Sequence, residues 1–238
     1  MAARRALTLV ELPAWPIKRL LRLEEALVRH EAGNWCLVTA LPPTPAVVVG
    51  LGGKPDQLLD AAALRAAPVD VVRRFTGGGT VVVGGGTVVA SLVIEKGAVC
   101  EPFPRDIMAW TEPVYAAAFG RLGVDGLALR DHDYVVGDRK VGGNAQCIAK
   151  DKWIHHTSFL WDYDPKHMTY LTLPAKRPEY RADRGHDAFL SRLGEATYPG
   201  YAAPAAGAAA LASGLEAALA ADFDVVRAGP DAAEAVEE

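Results

Sequence analysis

The sequence predicts an α+β protein in which one sheet domain occupies about residues 1–195. Three observations carry this. Residues 71–95, VVRRFTGGGTVVVGGGTVVASLVIE, interleave valine-rich runs with two glycine triplets, as strands broken by turns or bulges do. Residues 153–162 alternate, with Trp153, His155, Thr157, Phe159 and Trp161 on one face and Ile154, His156, Ser158, Leu160 and Asp162 on the other. Helical segments are interspersed, most plainly at residues 17–30.

In chain order, residues 7–11 alternate weakly and read as a first strand. In IKRLLRLEEALVRH, Leu20, Leu21, Leu23, Ala26 and Leu27 share one broad helix face, and the AGN that follows stops the helix. NWCLVTA and PAVVVGLG are strands, the second almost wholly apolar and therefore expected to be buried. KPDQLLDAAALRAA is a short helix that tolerates Pro55 near its first turn. PVDVVRRF and TVVVGGGTVVASLVIE are strands. PRDIMAWTEPVYAAAFGRLG is a helix ending near Gly120 and Gly123, which Pro113 should bend or begin. DYVVGDRKVGGNAQCIAK gives strand, turn and strand before the alternating run. Beyond Asp164 the chain is basic and irregular. At Thr197 the composition shifts to an alanine-rich helix and an acidic tail, so the expected organisation is a domain over residues 1–196 and an extension over 197–238.

Of the 238 residues half are hydrophobic, enough for a sizeable core. A net charge of −4 argues against general nucleic-acid binding but leaves room for a small basic pocket that holds one anion. Cys36, Cys100 and Cys147 are widely spaced with no zinc-site pattern, and read as free thiols in a reducing compartment. The longest uncharged stretch, residues 80–94, falls short of the about 20 residues that span a bilayer. No secretory leader is visible. The expected setting is cytoplasmic, or an organelle matrix, with no membrane partner.

Three segments are candidates for chemistry. Gly77, Gly78 and Gly79 follow Arg73 and Arg74, so bare backbone amides and one arginine can meet an anion. Turns or bulges are the alternative reading of both triplets, and Gly84, Gly85 and Gly86 have no polar neighbour beyond Thr87. Neither triplet is a Walker A loop, and GLGGKP fails that pattern as well because Pro55 stands where Ser or Thr is needed. In GDRKVGGNAQ, Lys140 precedes Gly142 and Gly143, with Asn144, Ala145 and Gln146 beside it. A flexible ammonium near bare backbone can balance a shifting negative charge, although a solvated turn lysine has the same sequence. In WIHHTSFLWDYD, adjacent His155 and His156 point to opposite faces of a strand and cannot hold one metal together. Core or pocket-wall roles suit them.

Taken in order, RRFTGGGT, GDRKVGGNAQ and HHTSFLWDYD resemble the lipoate–protein ligase A family, within the biotin/lipoate ligase superfamily, over about residues 5–195. Its members carry RRxSGGGAV, GxKxxGxAQ and HHG(T/S)LL segments. The resemblance implies a class II synthetase-like α+β fold, with a mostly antiparallel sheet flanked by helices. It implies ATP as reactant with Mg2+ assisting, lipoate or an octanoyl-type acid as substrate, and an acyl-adenylate intermediate. It also implies acyl transfer to a lysine of lipoyl-carrier domains, as in dehydrogenase or glycine-cleavage complexes. Lys140 becomes the catalytic residue. Arg74, Gly77, Gly78, Gly79, Asp133, Gly142, Gly143, Asn144, Ala145, His155 and His156 become the substrate- and nucleotide-binding set, and no resident metal ligands are expected. Trp153 or His155 is expected to wall an acyl tunnel, and basic residues 166–192 to form a docking face for an acidic carrier or simply a solvated run.

The sequence departs from the family at identifiable places. Where members have an HD.GN segment, this chain has VVVGGGTV; Cys147 stands where an arginine is common, His132 replaces an asparagine, and Thr157 replaces a glycine. Two other readings follow. Cys147, activated by Lys140, would make an ATP-independent acyltransferase. Loss of the polar HD.GN segment would leave a non-catalytic module that binds an acyl group or a carrier.

Overall fold

The structure, a computed structural model, describes residues 4–172 and 178–237. Its strands in chain order are β1 (Arg5–Glu11), β2 (Asn34–Ala40), β3 (Ala46–Val49), β4 (Asp70–Arg73), β5 (Val81–Val83), β6 (Thr87–Glu95), β7 (Leu127–Arg130), β8 (Asp133–Val136), β9 (Arg139–Ile148), β10 (Lys152–Leu160) and β11 (Phe223–Ala228). Its α-helices are α1 (Ile17–Arg29), α2 (Pro55–Leu58), α3 (Ala61–Ala66), α4 (Pro104–Gly120), α5 (His186–Phe189), α6 (Pro204–Leu219) and α7 (Asp231–Glu234).

Among the described residues the strands form two sheets. The larger has eight strands in the order β11-β1-β2-β6-β10-β9-β8-β7, antiparallel except where β1 meets β2 and β11; the smaller has three, β4-β3-β5. TVVASLVIE reads as a continuous apolar run because β6 lies in the middle of the large sheet and is covered on both faces. One face, with Leu92, Trp153 and Phe159, packs on α4 and α6. The other, with Val89, Val93 and Ile154, packs on α1 and on Val48 and Val83 of the small sheet. The alternation along β10 is thus the division between two cores. No helix among the described residues is long and apolar enough to cross a membrane.

Three expectations change. The single helix at residues 54–67 is two, because Leu59 leaves it to bridge Leu171, and Asp60 then caps the second by accepting from the amides of Ala62 and Ala63, each at 2.8 Å. Pro113 neither starts nor ends α4. The Ala109 carbonyl that loses its amide partner belongs to an exposed residue, which water can reach. The extension beyond residue 196 packs with the rest of the chain: α6 lies in the main core, and β11 joins the sheet beside β1 with Phe223 fully buried. The boundary drawn at residue 196 falls inside one continuous core.

Within that core, α6 passes so close to Trp161 that a Cβ added at Gly207 would sit 2.1 Å from its Cε2. The indole cannot retreat, since it is fully buried and its Nε1 donates to the Tyr201 carbonyl at 2.8 Å. Replacing a helical glycine with alanine ordinarily stabilises by about 1 kcal/mol. Here overpacking outweighs that gain, and Gly207→Ala lowers the unfolding free energy by about 1–2 kcal/mol, measured by urea denaturation.

Candidate active site

The small sheet delivers the glycine loop to the large one. β4 ends at Arg73, and the Arg74 guanidinium turns back under the loop, where Nη2 donates to the carbonyls of Gly77 at 2.8 Å and Gly79 at 2.7 Å. Nε adds a bond to Gly77 at 3.2 Å. Arg73 fixes the neighbouring turn by donating to the carbonyls of Gly50, Leu51 and Gly53. Gly78 has φ +98°, and a Cβ at Gly50 would meet the Gly78 oxygen at 2.2 Å, so this crossing needs glycine in both strands of chain. Arg74 was expected to face the ligand directly. It is instead buried, most of its donors engaged by the loop; burial lowers its pKa to about 10, which leaves the cation in place beneath Gly77, Gly78 and Gly79. The second triplet is structural: a Cβ at Gly86 would strike the Asp162 oxygen.

Lys140 does not sit in a loop. It lies on β9, just past the turn at Gly137, and its ammonium pairs with Asp133 Oδ1 at 2.7 Å. Residues 140 and 143 are three apart, and strict alternation would send them to opposite faces. A bulge intervenes: Val135 pairs with Lys140 but the preceding Tyr134 pairs with Gly142, so Val141 is the extra residue. The ammonium therefore returns over Gly143, where a Cβ would be 3.0 Å from Nζ. Next along the chain, the Asn144 carbonyl oxygen lies 3.8 Å from the position a Cβ on Gly78 would take. Lys140, Asp133, Gly143, Asn144 and the Arg74-held loop are thus one contiguous group.

Other expected members lie elsewhere. Gly142 faces the α4 core, where a Cβ would meet Phe159 at 2.8 Å. Ala145 is buried opposite His156. Asn144 contributes backbone to the group, while its side chain ties the His132 carbonyl at 2.8 Å.

His155 and Trp153 are on the α4 side of the sheet, across it from Lys140, so neither walls this site. Thr111 donates to the Met108 carbonyl and accepts from the Tyr134 hydroxyl, which in turn accepts from His155 Nε2 at 2.9 Å; Gln146 Nε2 donates to Nδ1. That chain of donors assigns His155 as a neutral imidazole. Burial, with His156 second, lowers its pKa to about 3. His156 faces α1 and pairs with Glu24 Oε1 at 2.7 Å, where Ser91 also donates. Glu24 was not anticipated, although a carboxylate beside Leu23 on the apolar stripe was a visible anomaly; its Oε2 is buried without a hydrogen-bond partner.

Cys147 is not activated by Lys140. It lies seven residues farther along β9, about 23 Å at strand rise. Burial raises its thiol pKa, and the charges that act on it are Arg29 and Glu25. Of the arginines expected to form a docking face, Arg184 pairs at the surface with Asp138 and Arg192 with Asp162 and Glu195, while Arg181 is buried. Lys176 and Arg177 of that segment lie outside the described residues. Among the described residues no three His, Cys, Asp or Glu side chains gather as a metal site. Tyr180, also unanticipated, donates to Asp133 Oδ2 at 2.8 Å.

Two outcomes follow. Arg74→Lys replaces a multidentate clamp with one amine and lowers the unfolding free energy by about 2 kcal/mol, measured by urea denaturation. Because the folded-state pKa of His155 lies below its ordinary 6.5, the unfolded chain binds the extra proton between about pH 6.5 and 3. His155 therefore erodes stability as pH falls through that window, by up to about 1.4 kcal/mol per pH unit. His155→Gln flattens this acid limb in denaturation curves taken across the window.

The family model for the lipoyl protein ligase A/B catalytic domain matches residues 16–197. A Plasmodium falciparum protein named inactive lipoate–protein ligase 2 is 26% identical over 201 residues, covering 70% of this chain and 51% of that one. The chain spans about half the length of the curated relatives it matches. A crystal structure of lipoate–protein ligase A bound with ATP superposes with TM-score 0.72 at 17% identity, over 99% of this chain and 92% of that one. A bi-partite lipoate protein ligase of Thermoplasma acidophilum, described with its E2 lipoyl domain, gives 0.73 at 19%, over 98% and 90%. With that sheet order, and with the lysine strand laid against the arginine-held glycine loop, the chain belongs to the lipoyl protein ligase A/B catalytic domain family.

Proposed function

We propose that this domain attaches a lipoyl or octanoyl-type group to a lysine of a lipoyl-carrier domain through an acyl-adenylate made from ATP. The observation that carries the reading is the Lys140 ammonium, held by Asp133 over Gly143 and adjacent to the loop above Arg74. Family membership supports the substrate class, and the ATP and the E2 lipoyl domain of the structural neighbours support the other two participants.

The chemistry asks one site to bring two anions together. A carboxylate oxygen of the acid attacks the α-phosphorus of ATP, and the bond to pyrophosphate breaks. The neutral amine of the carrier lysine then attacks the acyl carbon, forming the amide, releasing AMP and giving up a proton. Lys140 balances the carboxylate and α-phosphate oxygens in the first step and the carbonyl oxygen in the second. Gly143, Gly77 and Gly78 let backbone approach where a side chain would exclude the ligand. Mg2+ is commonly held by one or two carboxylates together with the phosphates of a nucleotide. Asp133 does not fit that role, since its Oδ1 holds Lys140 and its Oδ2 accepts from Tyr180, and no step is routed through the metal.

A second reading, a module that binds acyl group or carrier without ATP chemistry, draws only on Val81, Val82, Val83 and the Gly84, Gly85, Gly86 turn, and family membership does not favour it. Val82 sits in a small apolar core, and Gly85 and Gly86 pack on Pro43 and Asp162, so the segment offers no polar side chain to a nucleotide. ATP–pyrophosphate exchange with lipoate or octanoate, followed by the mass of a carrier domain, separates the readings. Exchange and a carrier mass shift support the ligase, and ligand binding without exchange supports the module. Lys140→Ala lowers the rate of acyl transfer by about 100-fold or more while the unfolding curve stays close to wild type.

A further inference from the structure

Residues 178–191 cross the start of β9 and are fastened there. The Ser191 amide donates to the Lys140 carbonyl at 2.9 Å, and Leu190 bridges Lys140 in parallel. Arg184 reaches Asp138 in the β8–β9 turn at 3.0 Å and donates to the Tyr180 carbonyl at 2.7 Å. The Tyr180 ring is held on two sides, by the Arg130 guanidinium 4.7 Å from its centre and by Phe189 at 5.3 Å. From this fixed pose its hydroxyl donates to Asp133 Oδ2 at 2.8 Å, while Asp133 Oδ1 holds Lys140 at 2.7 Å. One planar carboxylate is divided between a held phenol and a flexible ammonium. Fixing its first oxygen fixes the plane, and with it the direction in which the second presents the lysine.

On the reading of Lys140 given above, we infer that Tyr180 is a positioning residue: through Asp133 it keeps the Lys140 ammonium over Gly143, where the acyl carboxylate is activated. Burial and the neighbouring Asp133 raise the pKa of the Tyr180 hydroxyl, so it stays a donor at neutral pH. A tyrosine that merely anchored residues 178–191 would need its ring contacts but not this hydroxyl.

Tyr180→Phe keeps the ring and removes only the oxygen. Competitive acetylation of the whole chain with acetic anhydride, read by peptide mass, reports the freedom of each lysine without requiring turnover. The Lys140 rate rises about ten-fold in the variant, as loss of a hydrogen bond to a charged group implies, while Lys54 and Lys96 are unchanged. An unchanged Lys140 rate, or a rise shared by every lysine, overturns the inference. In carrier acylation, Tyr180→Phe lowers kcat about ten-fold with KM for the acid within about two-fold. Because Tyr180 acts through Asp133, adding Tyr180→Phe to Asp133→Asn costs nothing more. Wild-type kcat in Tyr180→Phe, or additive losses in the double variant, overturns the inference. A wild-type chain that transfers nothing defeats the functional reading instead, and the labelling result still decides the role of Tyr180.

Discussion

The site rests on one buried guanidinium. A loop of three glycines has no side chains with which to hold a shape, and glycine loses the most conformational freedom on folding. Arg74 supplies the missing constraint from below by gathering the carbonyls of Gly77 and Gly79. The clamp must be a cation with several donors in fixed directions, which lysine cannot imitate. Its own desolvation is offset by carbonyl dipoles and by the more distant Glu24. The crossing of Gly50 beneath Gly78 and the approach of Asn144 both depend on that loop staying where Arg74 puts it.

The large sheet divides labour by face. On the α4 side, Thr111, Tyr134, His155 and Gln146 form a satisfied polar chain within an apolar core, a brace that makes β10 and β9 rigid. On the α1 side, Glu24, Ser91 and His156 brace β6 and β10 against the helix. The two adjacent histidines therefore do mechanical work in opposite directions. Between these braces the bulge at Val141 redirects Lys140, so its ammonium is carried on strand backbone rather than on a turn.

Much of this was legible in the residues. Valine runs and the two-faced β10 gave the sheet because side chains alternate along a strand; that both faces are buried, in separate cores, was not legible. The three motifs and their spacing gave the family, and with it Lys140, Asp133 and the glycine loop. What escaped notice was whatever depends on long-range geometry. A bulge has no local signature in RKVGGNAQ, so the facing of Lys140, Gly142 and Gly143 could not be assigned. Arg74 and Tyr180 were opaque for the same reason: a guanidinium reads alike whether it meets a ligand or a carbonyl, and Tyr180 acts on a partner 47 residues away. FDVVRA was hidden by its alanine-rich surroundings, although its apolar pair Val225 and Val226 is a short strand.

That last strand has a consequence for how the chain is made. β1 has parallel neighbours on both sides, β2 and β11, and Arg5 pairs with Phe223. During synthesis one flank of β1 is satisfied early, while the other waits until Phe223 and the residues after it have been made. Throughout that interval its amides and carbonyls are an open template for any extended segment nearby. Loop closure across such a distance is slow, so the nascent sheet is most vulnerable to mispairing at β1.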